Sequence, residues 1–358
     1  MGNQLPVKQE AVKSSPMTPT FAYPLILVLS YLGVWIIRRY AEKRSILDHP
    51  NERSLHSTPT PRGGGLMIVL LVTAAGLWAV YEAGFTRGLI YIVCGLVIAW
   101  LGWRDDLHSL SPRLRFGVQS LVALASVLGL GYFKSVTIPL FGELPLGVVG
   151  FVITFFWIVG LTNAYNFMDG IDGLAGGVAF AGGIGWMVLS VNMENTFAFW
   201  VALAVSASSL GFLIHNWSPA KIFMGDVSST FLGYTFAVLP LLAADEGGDA
   251  LMLGTLLMWT IIMDAGVTFI QRALRRENVL AAHRTHVYQR LVEGGYSHGT
   301  ISFMFMVLTF VAVRLTLAWS QGAVIAPVLI IIGLPAIWVV LYRHATQLLN
   351  TTDTTDTK

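Results

Sequence analysis

Asn163-Ala164-Tyr165-Asn166-Phe167-Met168-Asp169-Gly170-Ile171-Asp172-Gly173-Leu174-Ala175-Gly176-Gly177 sets two amides and two carboxylates between apolar runs long enough to cross a bilayer. Ionisable groups beside hydrocarbon are costly to keep and mark function. Asn163, Asn166, Asp169 and Asp172 recur every three residues, so on a helix each adjacent pair shares a face while the row drifts around the axis. A break or tighter turn at Gly170 or Gly173 would realign them. Two carboxylates that close repel unless something positive lies between them, and a divalent cation is the simplest such partner.

The composition around this stretch agrees with a membrane setting. Of 358 residues, 55% are hydrophobic and 12% charged, and the mean hydropathy is +0.67, which excludes a soluble domain of this length. Apolar runs lie near Phe21 to Ile37, Gly64 to Tyr81, Gly88 to Trp103, Leu114 to Phe133, Val148 to Thr162, Leu174 to Val191, Phe197 to Ile214, Thr230 to Ala243, Leu251 to Phe269, Ile301 to Trp319 and Ala323 to Leu341. They predict an all-α polytopic membrane protein of about 11 transmembrane helices, given a hydrocarbon core of ~30 Å. The first run is followed by Arg38, Arg39, Lys43 and Arg44 with no small-residue cleavage site, and reads as a retained helix. Residues 1–20 are polar and read as a disordered tail with Met17 as an alternative start, 21–342 as one transmembrane catalytic domain, and 343–358 as a polar cytoplasmic tail. Cys94 is the sole cysteine, so no intrachain disulfide can form. Ser135 to Leu146 alternates weakly around a glycine and predicts a small hairpin on the outer face.

Seventeen of the 22 Lys and Arg residues fall in, or at the edge of, alternate loops and the C-terminal tail. By the positive-inside rule those loops are cytoplasmic and the N-terminus is outside. Every polar cluster of chemical interest lies on that predicted cytoplasmic side. The first loop carries Arg53, His56 and Arg62 just before Gly63-Gly64-Gly65, a pattern that suits either phosphate binding or a simple positive-inside anchor. The next offers Asp105 and Asp106 at a helix end, as metal or proton ligands or as a cap for the following helix. Asp226 precedes Ser228 and Ser229 at another helix start, as an N-cap or a metal ligand. The last large loop holds His283, Arg284 and His286, and clustered Arg and His beside an acidic site fit a diphosphate better than zinc.

Taken together these motifs closely resemble the polyprenyl-phosphate N-acetylhexosamine-1-phosphate transferases, the membrane family that includes the phospho-MurNAc-pentapeptide translocase. The matching residues run from Asp48 to Arg290: Asp48 to Gly64, the pair Asp105 and Asp106, Asn163 to Ala175, Gly225 to Ser229, and the histidine loop His283 to Gln289. The resemblance implies transfer of a sugar 1-phosphate from a UDP-aminosugar (GlcNAc, GalNAc or a 6-deoxy aminosugar) to undecaprenyl phosphate, with UMP released. It implies Mg²⁺, or Mn²⁺ in its place, held by Asp226 with Asp105 and Asp169. Asp105, Asp106, Asp169, Asp172 and His286 would be catalytic, and Arg53, His56, Arg62, Asn163, Asn166, His283 and Arg284 would bind substrates. The implied setting is the bacterial inner membrane, with the lipid bilayer and a homodimer as partners and no nucleic acid. One departure stands out: after His286 the chain reads Val287-Tyr288-Gln289, where the translocase has further histidines. That argues for the branch that starts O-antigen or other surface polysaccharides.

The acceptor phosphate is already mostly dianionic at neutral pH, its second pKa being about 6, so direct attack on the β-phosphorus needs no strong base. A phospho-aspartate intermediate is the alternative. The rival reading from another class is a transporter, whose polar site would lie near the midplane and not at one surface.

Overall fold

The computed structural model describes residues 18–48, 55, 58–243, 249–277 and 284–355. The apolar runs fold as helices α1 (Pro19–Arg44), α2 (Leu66–Ala83), α3 (Gly88–His108), α4 (Pro112–Leu130), α5 (Val149–Phe167), α6 (Leu174–Asn192), α7 (Thr196–Asn216) and α8 (Asp226–Ala243). After these come α9 (Asp249–Leu257), α10 (Trp259–Leu274), the short α11 (Val287–Glu293), α12 (His298–Ser320), α13 (Ala326–Val328) and α14 (Leu334–Thr355), the last two joined by a π turn at Leu329–Gly333. Ten of the described helices are long and apolar enough to span a bilayer, or eleven spans if the bent pair α9 and α10 counts as one.

Burial grades from the middle outwards. Some 83% of the spanning window of α7 and 89% of that of α8 is buried, against 17% for α1 and 22% for the final span, so α7 and α8 form the centre and α1 and α14 the lipid-facing rim. Lipid tails are as apolar as leucine, so close packing of small residues has to hold such helices together. Gly102 of α3 lies so near the backbone of Asp226 that a Cβ would collide with its carbonyl, and Gly233 of α8 meets the Leu161 carbonyl of α5 at 2.9 Å from where a Cβ would stand. Polar side chains inside the bundle pair with one another: Tyr91 with Thr235 at 3.1 Å, Ser126 with Tyr234 at 2.9 Å, and Trp157 donating to the Ala237 carbonyl at 2.9 Å.

Where the fold departs from the sequence-based expectation, polarity explains it. The ninth apolar run is not a straight span: α9 and α10 meet at 85°. Asp264, Thr268 and Arg272 form one buried stripe of α10 while Phe269, Ile270 and Leu274 on its other side stay exposed, and the acid is drawn to α11. The polar segment set apart from residue 343 onward continues α14 as helix to Thr355, and at the other end α1 already begins at Pro19. The expected hairpin forms, with β3 (Ser135–Ile138) antiparallel to β4 (Gly142–Pro145). A second ladder pairs β1 (Leu47–Asp48) with β2 (Thr60–Pro61), closing the first loop onto itself.

Candidate active site

The polar loops are laced together at one end of the bundle. The Phe223 N–H donates to the Pro61 carbonyl at 2.8 Å, and the Gly64 and Gly65 N–H groups donate to the Phe223 and Met224 carbonyls at 2.9 and 3.0 Å. That pairing carries Arg62 over the start of α8. Asp106 at the end of α3 takes the N–H groups of Asp226 and Val227 on its two oxygens, at 2.9 and 3.1 Å. The acid therefore caps a helix that begins 120 residues later in the chain, and not the helix that follows it. Gly225 at φ +82° permits the approach, since a Cβ there would stand 2.8 Å from the Asp106 carboxylate.

Arg62 is the positive centre of this cluster. Its Nε lies 3.1 Å from Asp106, and its terminal nitrogens lie 3.9 Å from Asp226 and 4.0 Å from Asp48. Burial works against its charge, but Asp106, Asp226, Asp48 and Asp169 together hold its pKa above the ordinary value. For Asp169 the balance falls the other way: its carboxylate accepts no hydrogen bond among the described residues, and burial, then the charge of Asp226, outweighs the pull of Arg62 and pushes it well above the usual carboxylate range. Asp172 goes the other way. Burial raises it, but the His298 ring at 3.5 Å and the Ala220 N–H at 3.1 Å reverse the effect and leave it below the ordinary value.

Two recesses meet here. A polar cavity of about 250 Å³ is lined by Arg62, Asn166, Asp169, Asp172, Asp226 and His298, among others. A larger groove of about 690 Å³ runs between α4, α5 and α10, walled by Phe116, Phe156, Trp157, Phe269 and Ile270. The row at three-residue spacing crosses from one to the other: Asn163 lines the groove, Asn166 lines both, and Asp169 and Asp172 line the cavity. The break that allows this falls between Phe167, where α5 ends, and Gly173, which enters α6 at φ +82°. Asn216 holds the break shut, accepting from the Gly173 N–H at 2.9 Å and donating to the Ile222 carbonyl at 3.0 Å.

The other expected residues divide between the two recesses or fall outside both. Asp105 lines the groove, next to the Asp226 carboxyl. It is held by Arg115 at 2.7 Å and by the Leu110 N–H at 2.6 Å. His286 also lines the groove. Arg284 lies near Glu293 and lines neither recess. Arg53, His56 and His283 lie outside the described residues. Asn166 accepts a hydrogen bond from Ser229 Oγ.

The structure adds three candidates that the sequence motifs do not include: Arg115, His298 and Asp264. Asp264 carries a signal in the sequence, an acid inside an apolar run. Arg115 and His298 stand at the ends of apolar runs, where a basic group looks like ordinary anchoring.

Among the described residues no three His, Cys, Asp or Glu side chains form a metal cage. Mg²⁺ does not require one, because it is commonly held by one or two carboxylates, waters and substrate phosphates. Asp169, whose carboxylate accepts no hydrogen bond among the described residues and which lines the cavity with Asp226, fits such a hard cation.

Comparison with known proteins gives the same picture. A family model described as glycosyl transferase family 4 matches residues 89–244. A probable undecaprenyl-phosphate N-acetylglucosaminyl 1-phosphate transferase of Bacillus subtilis is 34% identical over 283 residues, covering 77% of this chain and 78% of the relative. A decaprenyl-phosphate N-acetylglucosaminephosphotransferase of Mycobacterium leprae is 26% identical, covering 88% and 89%. An undecaprenyl-phosphate alpha-N-acetylglucosaminyl 1-phosphate transferase of Escherichia coli K12 is 28% identical, covering 81% and 80%.

Proposed function

The chain belongs to glycosyl transferase family 4 and is a membrane glycosyl-phosphate transferase, and on that premise we propose that it moves an N-acetylaminosugar 1-phosphate from a UDP-sugar to undecaprenyl phosphate in the bacterial inner membrane. The observation that carries the reading is the junction at Asn166, where a charged cavity sized for polar groups opens beside an apolar groove between helices. The donor occupies the cavity and the isoprenoid chain the groove, so the two phosphates meet where the recesses join.

Each residue then has a task. Arg62 neutralises the donor diphosphate, and the carboxylates around it keep it charged and in place. Asp172, held ionised by His298 and the Ala220 N–H, offers an acceptor to the nucleotide. Arg115, whose guanidinium has donors beyond the one bond to Asp105, receives the acceptor phosphate at the polar side of the groove. Asp106 acts by fixing the start of α8, and with it Asp226. The lipid phosphate oxygen attacks the β-phosphorus, a new P–O bond forms, the bond from that phosphorus to the bridging oxygen breaks, and UMP leaves with the bond pair. Alignment of the reacting atoms is the main contribution, since the nucleophile is already charged. Mg²⁺, for which Mn²⁺ can substitute, would be held by Asp226 and Asp169 and would supply neutralisation of the diphosphate and of departing UMP.

GlcNAc is the first donor to try, because the relatives' names specify it. Tyr288 and Gln289, replacing the histidines of the translocase, support a second reading in which a 6-deoxy aminosugar is used and the product starts an O-antigen or other surface polysaccharide. Purified protein is incubated with UDP-GlcNAc, UDP-GalNAc or a UDP-6-deoxy-aminosugar, with and without undecaprenyl phosphate and Mg²⁺. UMP release that requires both acceptor and ion is expected. Substrate uptake into vesicles without UMP release would instead make the chain a transporter.

A further inference from the structure

Asp264 is completely buried in α10, yet nothing in the proposed chemistry uses it. Its carboxylate is the hub of the histidine loop. Oδ1 accepts from the Val287 N–H at 2.9 Å and lies 3.1 Å from His286 Nδ1, and Oδ2 accepts from the Tyr288 N–H at 3.2 Å. The His286 N–H is taken by Gln289 Oε1 at 3.2 Å, and the His286 and Tyr288 rings stack at 5.7 Å. A carboxylate that already gathers two backbone N–H groups takes the ring's Nδ1–H as a third, which sets the tautomer and the tilt of the imidazole.

The remainder of α10 explains why this matters. Ala265, Phe269 and Ile270, from the same helix, wall the groove that His286 also lines. Asp264 therefore ties the imidazole to the groove wall itself. From α11 the contact continues: the Tyr288 hydroxyl donates to the Phe167 carbonyl at 3.0 Å and presses on Gly170, which lines the polar cavity.

We infer that Asp264 is a positioning residue, which fixes His286 against the groove wall at the place where the acceptor phosphate reacts. This rests on the proposed transferase reading for its kinetic consequence, but the clamp itself does not. Two measurements keep them apart. Hydrogen–deuterium exchange of the full-length protein in detergent, over the peptide 284–293, reads the clamp whatever the substrate. Asp264→Ala and Asp264→Asn should both speed exchange at α11 while α3 and α12 keep the wild-type rates. Unchanged protection at α11, or loss of protection across the bundle, overturns the clamp.

Kinetics with UDP-GlcNAc and undecaprenyl phosphate then read the role. Asp264→Asn should lower kcat about 10- to 100-fold with both KM values nearly unchanged, as expected for a displaced group that still binds. In a His286→Ala background the same change should cost less than about twofold, because residues that act through one another are not additive. An equal loss in both backgrounds, or wild-type kcat in Asp264→Asn, overturns the positioning role. A wild-type protein inactive with every donor would instead sink the transferase reading and leave the exchange result to decide the clamp.

Discussion

The cavity and the groove share Asn166 and differ in almost everything else. In the cavity charge dominates: Arg62 is ringed by Asp48, Asp106 and Asp226, and Asp169 accepts no hydrogen bond on its carboxylate among the described residues. In the groove, aromatic and aliphatic walls dominate, and Arg115 is its sole Arg or Lys lining residue among those described. The difference teaches that one end of the bundle keeps a charged recess and an apolar one side by side, which on the proposed function separates the donor diphosphate from the lipid chain. It also says which kinetic constant each region controls.

The sharpest break between the two is expected at Asp226. Changing Asp226→Asn should lower kcat by about 10²–10³-fold, read as UMP release, while the protein still inserts and elutes as a folded species; near-normal turnover would remove the acid from the reaction centre. Changes at the groove's apolar wall and at Arg115 should leave kcat largely alone. A side chain built at Gly160 meets open space in the groove, so Gly160→Phe should raise the acceptor KM about tenfold, worth ~1.4 kcal/mol, with the donor KM unmoved. Arg115→Gln should act on the same constant by about tenfold or more, since it removes a charged hydrogen-bond donor worth ~1.5–3 kcal/mol. If either substitution weakens the donor instead, the assignment of recesses to substrates is reversed.

The pH dependence separates the regions again. Asp169 has a raised pKa through burial and the Asp226 charge, so below that pKa a proton must leave before the carboxylate can serve a cation. The half-saturating Mg²⁺ concentration should therefore fall about tenfold for each pH unit gained until Asp169 is ionised. A flat profile would detach Asp169 from the ion. The smallest effect is expected at the brace between the regions: Tyr288→Phe removes the hydroxyl and its bond to the Phe167 carbonyl. It should cost about 1 kcal/mol, seen as a few degrees in the melting temperature.

Much of this was legible in the chain. Apolar run lengths located the spans, and the Lys and Arg bias put the acidic motifs on one face because both features follow directly from residue chemistry. The three-residue spacing implies a row that drifts around the axis, but only the fold shows that its drift leads from groove to cavity. The sequence leaves Asp106 open as a metal or proton ligand or as a cap for the following helix. Its actual partner, α8, is distant in sequence, and no local pattern encodes such a pairing. The bend between α9 and α10 is invisible to hydropathy, which averages over the stripe of Asp264, Thr268 and Arg272, whose placement depends on α11 folding against it.

The central claim is that phosphorus passes directly from the cavity to the groove. UDP-GlcNAc, or whichever UDP-sugar proves active, labelled at the β-phosphorus and supplied with undecaprenyl phosphate, follows that atom. All transferred label should appear in the lipid diphosphate, with unlabelled UMP released in equal amount. Label retained in released UDP, or trapped on the protein, would contradict it.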